Sequence, residues 1–96
     1  MLNNKTWFVY ILRCSDKTFY TGITTDIERR IKEHNAEKST TKYTRVRQPL
    51  EMVYTESAVT RSTALKREVE IKSYSRKQKI ALIDSQYTMS KNDEEK

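Results

Sequence analysis

The stretch that decides the fold is FYTGITTDIERRIKEHN, residues 19–35, which contains the single glycine of the 96-residue chain. Its first part, FYTGIT, has the aromatic and β-branched composition of a strand, and its second part places Ile27 and Ile31 on one side of a helix. Glycine normally makes up about 7% of a domain. A chain that keeps only Gly22 therefore indicates a position at which a side chain is not tolerated.

The sequence on both sides of this stretch predicts a small α/β domain. WFVYILRC, residues 7–14, is apolar on both faces and forms a hairpin with FYTGIT across the polar turn SDKT. The later predicted elements are a helix over 26–36 capped by Thr24 or Thr25, a basic loop over 37–49, a strand over 50–57, a helix over 60–74 and a short helix after Ser75. The predicted fold class is a small three-stranded sheet flanked by helices, in the order ββαβαα. Residues 1–82 form this one domain, and residues 83–96 are predicted to be a polar, disordered tail.

The charge of the chain favours a polyanionic partner. Its formal net charge is +6, and the residues between 38 and 47 include four basic side chains and no acid. Such clustering favours nucleic acid as the first candidate partner, although basic helix faces can also simply be exposed to solvent. Cys14 is the single cysteine, which excludes an intramolecular disulfide, and no apolar run is long enough for a signal peptide or a membrane span. We therefore expect a cytoplasmic protein.

The first predicted helix carries charged residues on the side that faces the sheet. An advance of about 100° per residue places Arg30 and His34 on the same side as the isoleucines. Arg29, by the same count, points away into solvent. A partly buried guanidinium needs an anionic or hydrogen-bonding partner, because it stays charged.

The second predicted helix repeats this anomaly with a carboxylate. Its inward side, which runs from Ala64 and Ile71 round to Leu65 and Val69, also contains Glu68 and Lys72. An inward carboxylate is unfavourable unless it is paired or holds a metal ion. The geometry leaves two interpretations open: an Arg30–Glu68 ion pair that closes a small core, and a functional site.

Two tyrosines flank the single glycine in the predicted hairpin. If the turn leaves an odd number of unpaired residues, Tyr10 and Tyr20 point to the same face as Gly22, whereas a two-residue turn would separate them. In the first case, Gly22 leaves a shallow depression between the phenols, and a phosphate can approach the backbone there.

These residues resemble the motifs of the GIY-YIG nuclease superfamily, and in particular its small stand-alone bacterial branch. Phe8-Val9-Tyr10 and Tyr20-Thr21-Gly22 stand at the two tripeptide motifs, and the resemblance extends from Trp7 to about Leu82. By the same resemblance, Arg30 matches the catalytic arginine, His34 a histidine one turn further on, and Glu68 the metal-binding glutamate.

The resemblance implies phosphodiester hydrolysis with one divalent ion, Mg²⁺ or Mn²⁺, held by Glu68. It implies that Arg30 clamps the scissile phosphate. Tyr10 or Tyr20 would orient or deprotonate the attacking water, with Tyr10 favoured if Arg30 and the metal lower its pKa. His34 would relay a proton or help to hold the phosphate. The residues expected to contact nucleic acid are Gly22, Thr44, Arg45, Arg47 and Lys72.

The expected function is that of a GIY-YIG endonuclease-type phosphodiesterase acting on single-stranded, nicked or branched DNA, in repair or recombination. DNA is favoured over RNA, a monomer is favoured, no membrane association is expected, and a recruiting protein partner is compatible with the sequence. One alternative is a catalytically inactive nucleic-acid-binding module. Another is an interaction module whose inward charges form a structural ion pair.

Overall fold

The computed structural model of the chain describes residues 6–36 and 41–94. The elements within these ranges are β1 (Trp7–Arg13), β2 (Phe19–Thr24), α1 (Ile27–Asn35), α2 (Lys42–Arg45), β3 (Glu51–Ala58), α3 (Arg61–Lys72) and α4 (Arg76–Glu94). The strands form one antiparallel sheet in the order β2-β1-β3. The predicted α/β fold and its ββαβαα order are confirmed, with one additional short helix, α2, inside the segment that we predicted to be a basic loop.

The hairpin has the register that brings the two tyrosines and the glycine together. Arg13 pairs with Phe19, so the turn encloses residues 14–18, an odd number. Tyr10 lies opposite Gly22, and Tyr20 lies two positions along β2 from that glycine. Because side chains alternate along a strand, all three residues share one face of the sheet.

The sheet is covered on both faces, because its central strand β1 is apolar on both alternating sides. One face packs against α3 and α4 through the buried residues Val9, Ile11, Tyr54, Ala58, Ala64 and Ile71. The other face contains the buried residues Tyr10, Leu12, Cys14 and Leu50, against which α1 packs with Ile27 and Ile31. Helix α1 therefore lies on the tyrosine face of the sheet, and α3 lies on the opposite face.

Helix α1 begins at a different cap from the one predicted. The N-cap is Asp26, whose carboxylate accepts a hydrogen bond from the backbone N–H of Arg29 at 3.0 Å. The Thr24 hydroxyl instead accepts from the backbone N–H of Asp26 at 3.0 Å. The threonine thus stabilises the turn before the helix, and the aspartate satisfies one of the free N–H groups of the first helical turn.

Helix α3 buries a narrower side than predicted. Ala64 and Ile71 are fully buried, whereas Val69 is 66% exposed, so its expected inward position is wrong. The helix faces the sheet along the line from Ala64 to Ile71. At the edge of this face, next to β3, Arg67 donates a hydrogen bond to Glu56 at 2.8 Å. This ion pair holds α3 in its orientation on the sheet.

Helix α4 extends beyond the end that was predicted for it. We expected a polar tail over residues 83–96, whereas the backbone is helical over Arg76–Glu94. Leu82 and Ile83 pack against the first core cluster, so Ile83, just past the predicted boundary, still belongs to the packed part of the helix. In the described ranges, no helix is long and apolar enough to cross a membrane.

Candidate active site

Four side chains form a continuous chain of hydrogen bonds between β1, α1 and α2. The Nε–H of Arg30 donates to the Tyr10 hydroxyl at 3.3 Å, and this hydroxyl lies 2.9 Å from Nε2 of His34. On the other side of the imidazole, Nδ1 lies 2.9 Å from Oγ1 of Thr44, which donates to the Thr41 carbonyl at 3.1 Å. We refer to Arg30, Tyr10, His34 and Thr44 as the polar chain.

The polar chain forms because α1 packs on the face of β1 that carries Tyr10. Arg30 and His34 are one helical turn apart, so both reach the same hydroxyl. The end of α1 is fixed by Asn35, whose side-chain amide donates to the Leu50 carbonyl at 3.1 Å and accepts from the Leu50 N–H at 2.7 Å. The position of His34 is therefore set by the anchored backbone next to it.

Gly22 is the position that admits the Tyr10 phenol to this face. A Cβ atom on residue 22 would lie 2.5 Å from the Tyr10 hydroxyl oxygen and 2.7 Å from its Cζ, closer than side chains approach one another. The phenol thus fills the depression that we expected to be open to a phosphate. The inference that no side chain is tolerated agrees with the structure, but the reason is the buried tyrosine. The buried Gly22 is accordingly a spacer and not the surface contact that we predicted.

Burial shifts the pKa of the two central groups of the polar chain. Desolvation raises the pKa of Tyr10 to about 12, although the hydrogen bond and charge of Arg30 act in the opposite direction. Desolvation and then the charge of Arg30 lower the pKa of His34 to about 4. Both groups are therefore neutral at pH 7. The expectation that Arg30 would lower the pKa of Tyr10 does not hold overall, because burial outweighs it.

Arg30 keeps part of its guanidinium at the surface. Its side chain is 25% exposed, and its Nη1 contacts the Glu33 carboxylate at 2.8 Å. Arg29 points into solvent, as the helical spacing predicted, and approaches the same carboxylate only to 3.7 Å. Within the described ranges, Nη2 of Arg30 has no hydrogen-bond partner. The fixed guanidinium therefore has N–H donors left for a ligand.

Glu68 does not form the ion pair with Arg30 that the sequence left open. Its carboxylate contacts Lys72 at 3.3 Å, one turn along α3, while Arg30 is paired with Glu33. The Glu68 side chain is only 16% exposed, and its charge contributes to the raised pKa of Tyr10. Glu68 consequently lies within electrostatic range of the polar chain.

The donor chemistry at Glu68 fits a hydrated hard cation. The described residues contain no group of three or more His, Cys, Asp and Glu side chains that could hold a metal ion. Mg²⁺ prefers oxygen ligands, keeps several waters and needs only one or two carboxylates. A single, largely buried glutamate therefore meets the minimum protein contribution to such a site.

An aromatic surface adjoins the polar chain. The Tyr20 ring packs edge-on against the His34 ring with centroids 5.0 Å apart, and the Tyr43 centroid lies 6.0 Å beyond Tyr20. The guanidinium of Arg47 lies over the Tyr43 ring at 3.8 Å from its centroid. Tyr43 is 37% exposed. We refer to Tyr20, Tyr43 and Arg47 as the aromatic surface.

The structure gives different surroundings to the three residues in and just after α2 that were expected to contact nucleic acid. Arg45 is exposed. Arg47 is partly exposed and also pairs with Asp16 at 3.0 Å. Thr44 is fully buried, so its predicted surface contact is wrong. The short helix turns this threonine inward, where His34 provides a polar partner.

Sequence reasoning missed Tyr43 and Glu33. Tyr43 is the one aromatic residue within the basic run 38–47, and aromatic residues among cations are typical of surfaces that bind single strands, so the sequence did contain a signal. Glu33 lies three residues after Arg30, which is a spacing at which opposite charges meet on a helix.

Comparison with known proteins identifies the family of the chain. Residues 6–81 match the family model described as the GIY-YIG catalytic domain. A UPF0213 protein of Haloquadratum walsbyi is 54% identical over 77 residues, which cover 80% of this chain and 85% of that protein. A UPF0213 protein of Staphylococcus epidermidis is 50% identical over 76 residues, which cover 79% of this chain and 92% of that protein.

Two solution NMR structures have the same fold. A protein from E. faecalis is 41% identical, with a TM-score of 0.60 over 92% of this chain and 93% of that one. A UPF0213 protein from Bacillus halodurans is 43% identical, with a TM-score of 0.53 over 82% of this chain and 83% of that one.

A three-stranded antiparallel sheet with two tyrosines on the face that α1 covers, together with the match to the family model, places the chain in a nuclease-type family. The chain belongs to the GIY-YIG family, and the relatives that resemble it at about half identity are UPF0213 proteins.

Proposed function

We propose that this chain is a divalent-metal-dependent nuclease that hydrolyses phosphodiester bonds in DNA, with single-stranded, nicked or branched molecules from repair or recombination as substrates. The observation that carries the proposal is the anchoring of Arg30. Its Nε is held by the buried Tyr10 hydroxyl, while the end of the guanidinium reaches the surface. A guanidinium held in this way is preorganised for an anion before the anion arrives.

Arg30 clamps the scissile phosphate in this proposal. Its planar fork can donate two parallel hydrogen bonds to phosphate oxygens, which an ammonium group cannot do. The Glu33 carboxylate, 2.8 Å from Nη1, occupies one of these donors in the free protein. A phosphate that displaces this partly exposed carboxylate replaces one charge-assisted contact by another, and the arginine then stabilises the additional negative charge of the transition state.

Glu68 would hold Mg²⁺ or Mn²⁺, with water and phosphate oxygens as the remaining ligands. When bound, such an ion polarises the phosphate and makes a bound water more acidic. The Lys72 ammonium, now 3.3 Å from the carboxylate, has to withdraw from it. Because Lys72 lies mostly in solvent, it can turn toward the nucleic-acid backbone without loss of packing.

The two tyrosines have different roles in this proposal. Tyr10 is buried, its pKa is raised to about 12, and its hydroxyl already serves both Arg30 and His34. We therefore assign to Tyr10 the support of Arg30. Tyr20 is only half-buried and lies between the polar chain and the aromatic surface, so we assign to it the contact with the attacking water. This assignment reverses the preference for Tyr10 that the sequence suggested.

The aromatic surface favours a substrate with unpaired bases. Tyr43 is partly exposed, and its neighbours Arg45 and Arg47 supply positive charge. Exposed rings beside cations bind single strands by stacking and by attraction to phosphate, without strong sequence preference. An unpaired segment next to the scissile phosphate is therefore favoured over a continuous duplex.

A catalytically inactive nucleic-acid-binding module is the second candidate. The observation in its favour is that Arg30 and Glu68 are each already paired with a neighbouring charge, Glu33 and Lys72 respectively. A module of this kind would bind through its basic surface and would leave the phosphodiester bond intact.

The test is cleavage of labelled single-stranded, nicked, branched and continuous duplex DNA at low salt, with Mg²⁺, Mn²⁺ or a chelator. Glu68→Ala removes the proposed ligand. Glu70→Ala is the matched control, because Glu70 lies on the same helix but pairs with Arg67 at 2.9 Å. We expect metal-dependent cutting by wild type and Glu70→Ala, and none by Glu68→Ala. No cutting by any protein, with equal salt-sensitive binding by all three, would contradict the nuclease and favour the binding module.

A further inference from the structure

Thr44 is fully buried although it belongs to the short basic helix α2. Its hydroxyl connects Nδ1 of His34, at 2.9 Å, to the backbone of the same helix. We propose that Thr44 is a positioning residue, which fixes the tautomer of His34 and, through Tyr10, the direction of Arg30. The effect on cleavage rests on the proposed function, whereas the tautomer does not.

The direction of each bond in the polar chain follows from one carbonyl group. The Thr41 carbonyl can only accept, so the Thr44 hydroxyl donates to it, and the Thr44 oxygen accepts from Nδ1–H of His34. With the proton on Nδ1, the Nε2 atom is an acceptor, and the Tyr10 hydroxyl donates to it. The lone pairs of the Tyr10 oxygen then remain for the Nε–H of Arg30. The protons on Thr44, on Nδ1 of His34 and on Tyr10 thus each have one acceptor.

The tautomer with its proton on Nε2 of His34 does not fit this arrangement of donors and acceptors. A proton on Nε2 of His34 would point at the Tyr10 oxygen, which already accepts from Arg30, and the Tyr10 proton would lose its acceptor. In the part of the chain that the structure describes, the Tyr10 hydroxyl has no third partner, so a buried donor would be unsatisfied. Relief requires the phenol to shift until its proton meets another acceptor, and such a shift would change the position of the oxygen that holds Arg30.

Thr44 also connects the interior to the proposed substrate surface. Its two sequence neighbours, Tyr43 and Arg45, are exposed, while Thr44 itself faces His34. The helix that presents side chains to nucleic acid therefore also holds the group that orients the proposed phosphate-binding arginine.

The tautomer can be measured directly, because His34 is the only histidine of the chain. Nitrogen-15 NMR of the imidazole distinguishes the Nδ1–H form, the Nε2–H form and the cation. In wild type at neutral pH we expect the Nδ1–H form. Thr44→Val keeps the branched shape but removes the hydroxyl, and Thr44→Ser keeps the hydroxyl. We expect the Nδ1–H form to be lost in the valine variant and retained in the serine variant.

Kinetics separate a positioning role from a binding role. In Thr44→Val we expect kcat to fall by about 10- to 100-fold, as for a catalytic group that is displaced by a fraction of an ångström to about one ångström. KM for single-stranded DNA should stay the same, because Thr44 does not reach the surface. Thr44→Ser should restore kcat to near the wild-type value.

Two results would overturn the inference. One is an Nε2–H or charged imidazole in the wild-type protein, which requires no variant and so remains decisive if Thr44→Val does not fold. The other is a Thr44→Val protein with a wild-type amide spectrum that keeps the Nδ1–H form. A wild type that cuts no DNA but has the expected tautomer would contradict the proposed function and support the structural role of Thr44.

Discussion

The hydroxyl of Tyr10 and the Nε2 atom of His34 lie 2.9 Å apart in the interior between β1 and α1. Both residues are at most 1% exposed. Their hydrogen bond ties the central strand to the helix that carries Arg30, and both groups are neutral because burial raises one pKa and lowers the other. Burial of these two polar side chains is favourable only while both keep their hydrogen-bond partners and stay neutral.

Acid should destabilise the protein through His34. Desolvation and then the charge of Arg30 lower the pKa of His34 from 6.5 to about 4 in the folded state. Between these values the unfolded imidazole binds a proton and the folded one does not, so the free energy of unfolding should fall as the pH decreases through this window. The stabilisation that comes from keeping His34 neutral is fully present above pH 6.5. It amounts to at most about 3 kcal/mol of the free energy of unfolding. Urea unfolding at a series of pH values measures it.

The control for this prediction is His34→Gln, which lacks the titrating group and should lose the corresponding slope. An imidazole whose NMR resonance in the folded wild type titrates at its ordinary pKa of 6.5 would contradict the burial argument.

Gly22→Ala should disturb the polar chain from the opposite strand. Its Cβ would lie 2.5 Å from the Tyr10 hydroxyl, and this phenol cannot move freely because it is buried and holds two hydrogen bonds. We expect a loss of about 1–3 kcal/mol in the free energy of unfolding, as for other overpacked interiors. Chemical denaturation measures this loss. In a Tyr10→Phe background the clashing hydroxyl oxygen is absent, so Gly22→Ala should lower the free energy of unfolding by less. An equal loss in both backgrounds would contradict a clash with this hydroxyl.

Tyr43→Ala should weaken binding to single-stranded DNA by about 5- to 150-fold, because a stacked base contributes about 1–3 kcal/mol. Tyr43→Phe retains the ring and loses only the hydroxyl contact to Thr18 at 2.9 Å, so its affinity should stay close to that of wild type. Fluorescence anisotropy with labelled single strands and duplexes, in the Glu68→Ala background without metal, measures binding apart from cleavage. An equal loss for duplex and single strand would argue against stacking.

The tyrosine face of the fold could be predicted from the sequence because its signals are local. The single glycine between the tyrosines and the helical spacing of Arg30 and His34 indicated one shared side of the sheet, on condition of an odd turn that the sequence left open. The structure supplies that odd turn and brings these side chains together. The composition of β1, apolar on both faces, likewise predicted a strand covered on both sides, and β1 is the central strand of the sheet.

The features that the sequence did not predict depend on tertiary contacts, which leave no periodic pattern in the sequence. Helix α2 lies in a polar segment, so neither its existence nor the inward direction of Thr44 could be read before His34 was known to face it. The filled space at Gly22 depends on how deeply the Tyr10 phenol inserts, which strand alternation does not specify. The exposure of Val69 depends on the tilt of α3, which the Arg67–Glu56 pair helps to fix.

Arg30, held by Tyr10, is proposed to stabilise the phosphate during cleavage, and single-turnover cleavage of single-stranded DNA with Mg²⁺ measures this role. Arg30→Lys keeps the charge but loses the planar fork and the Nε–H that donates to Tyr10 at 3.3 Å. Arg29→Lys is the matched control, because Arg29 is the adjacent arginine and lies in solvent. We expect a fall in rate of about 100-fold or more in Arg30→Lys, with Arg29→Lys close to wild type. Equal rates in the two variants would contradict this role.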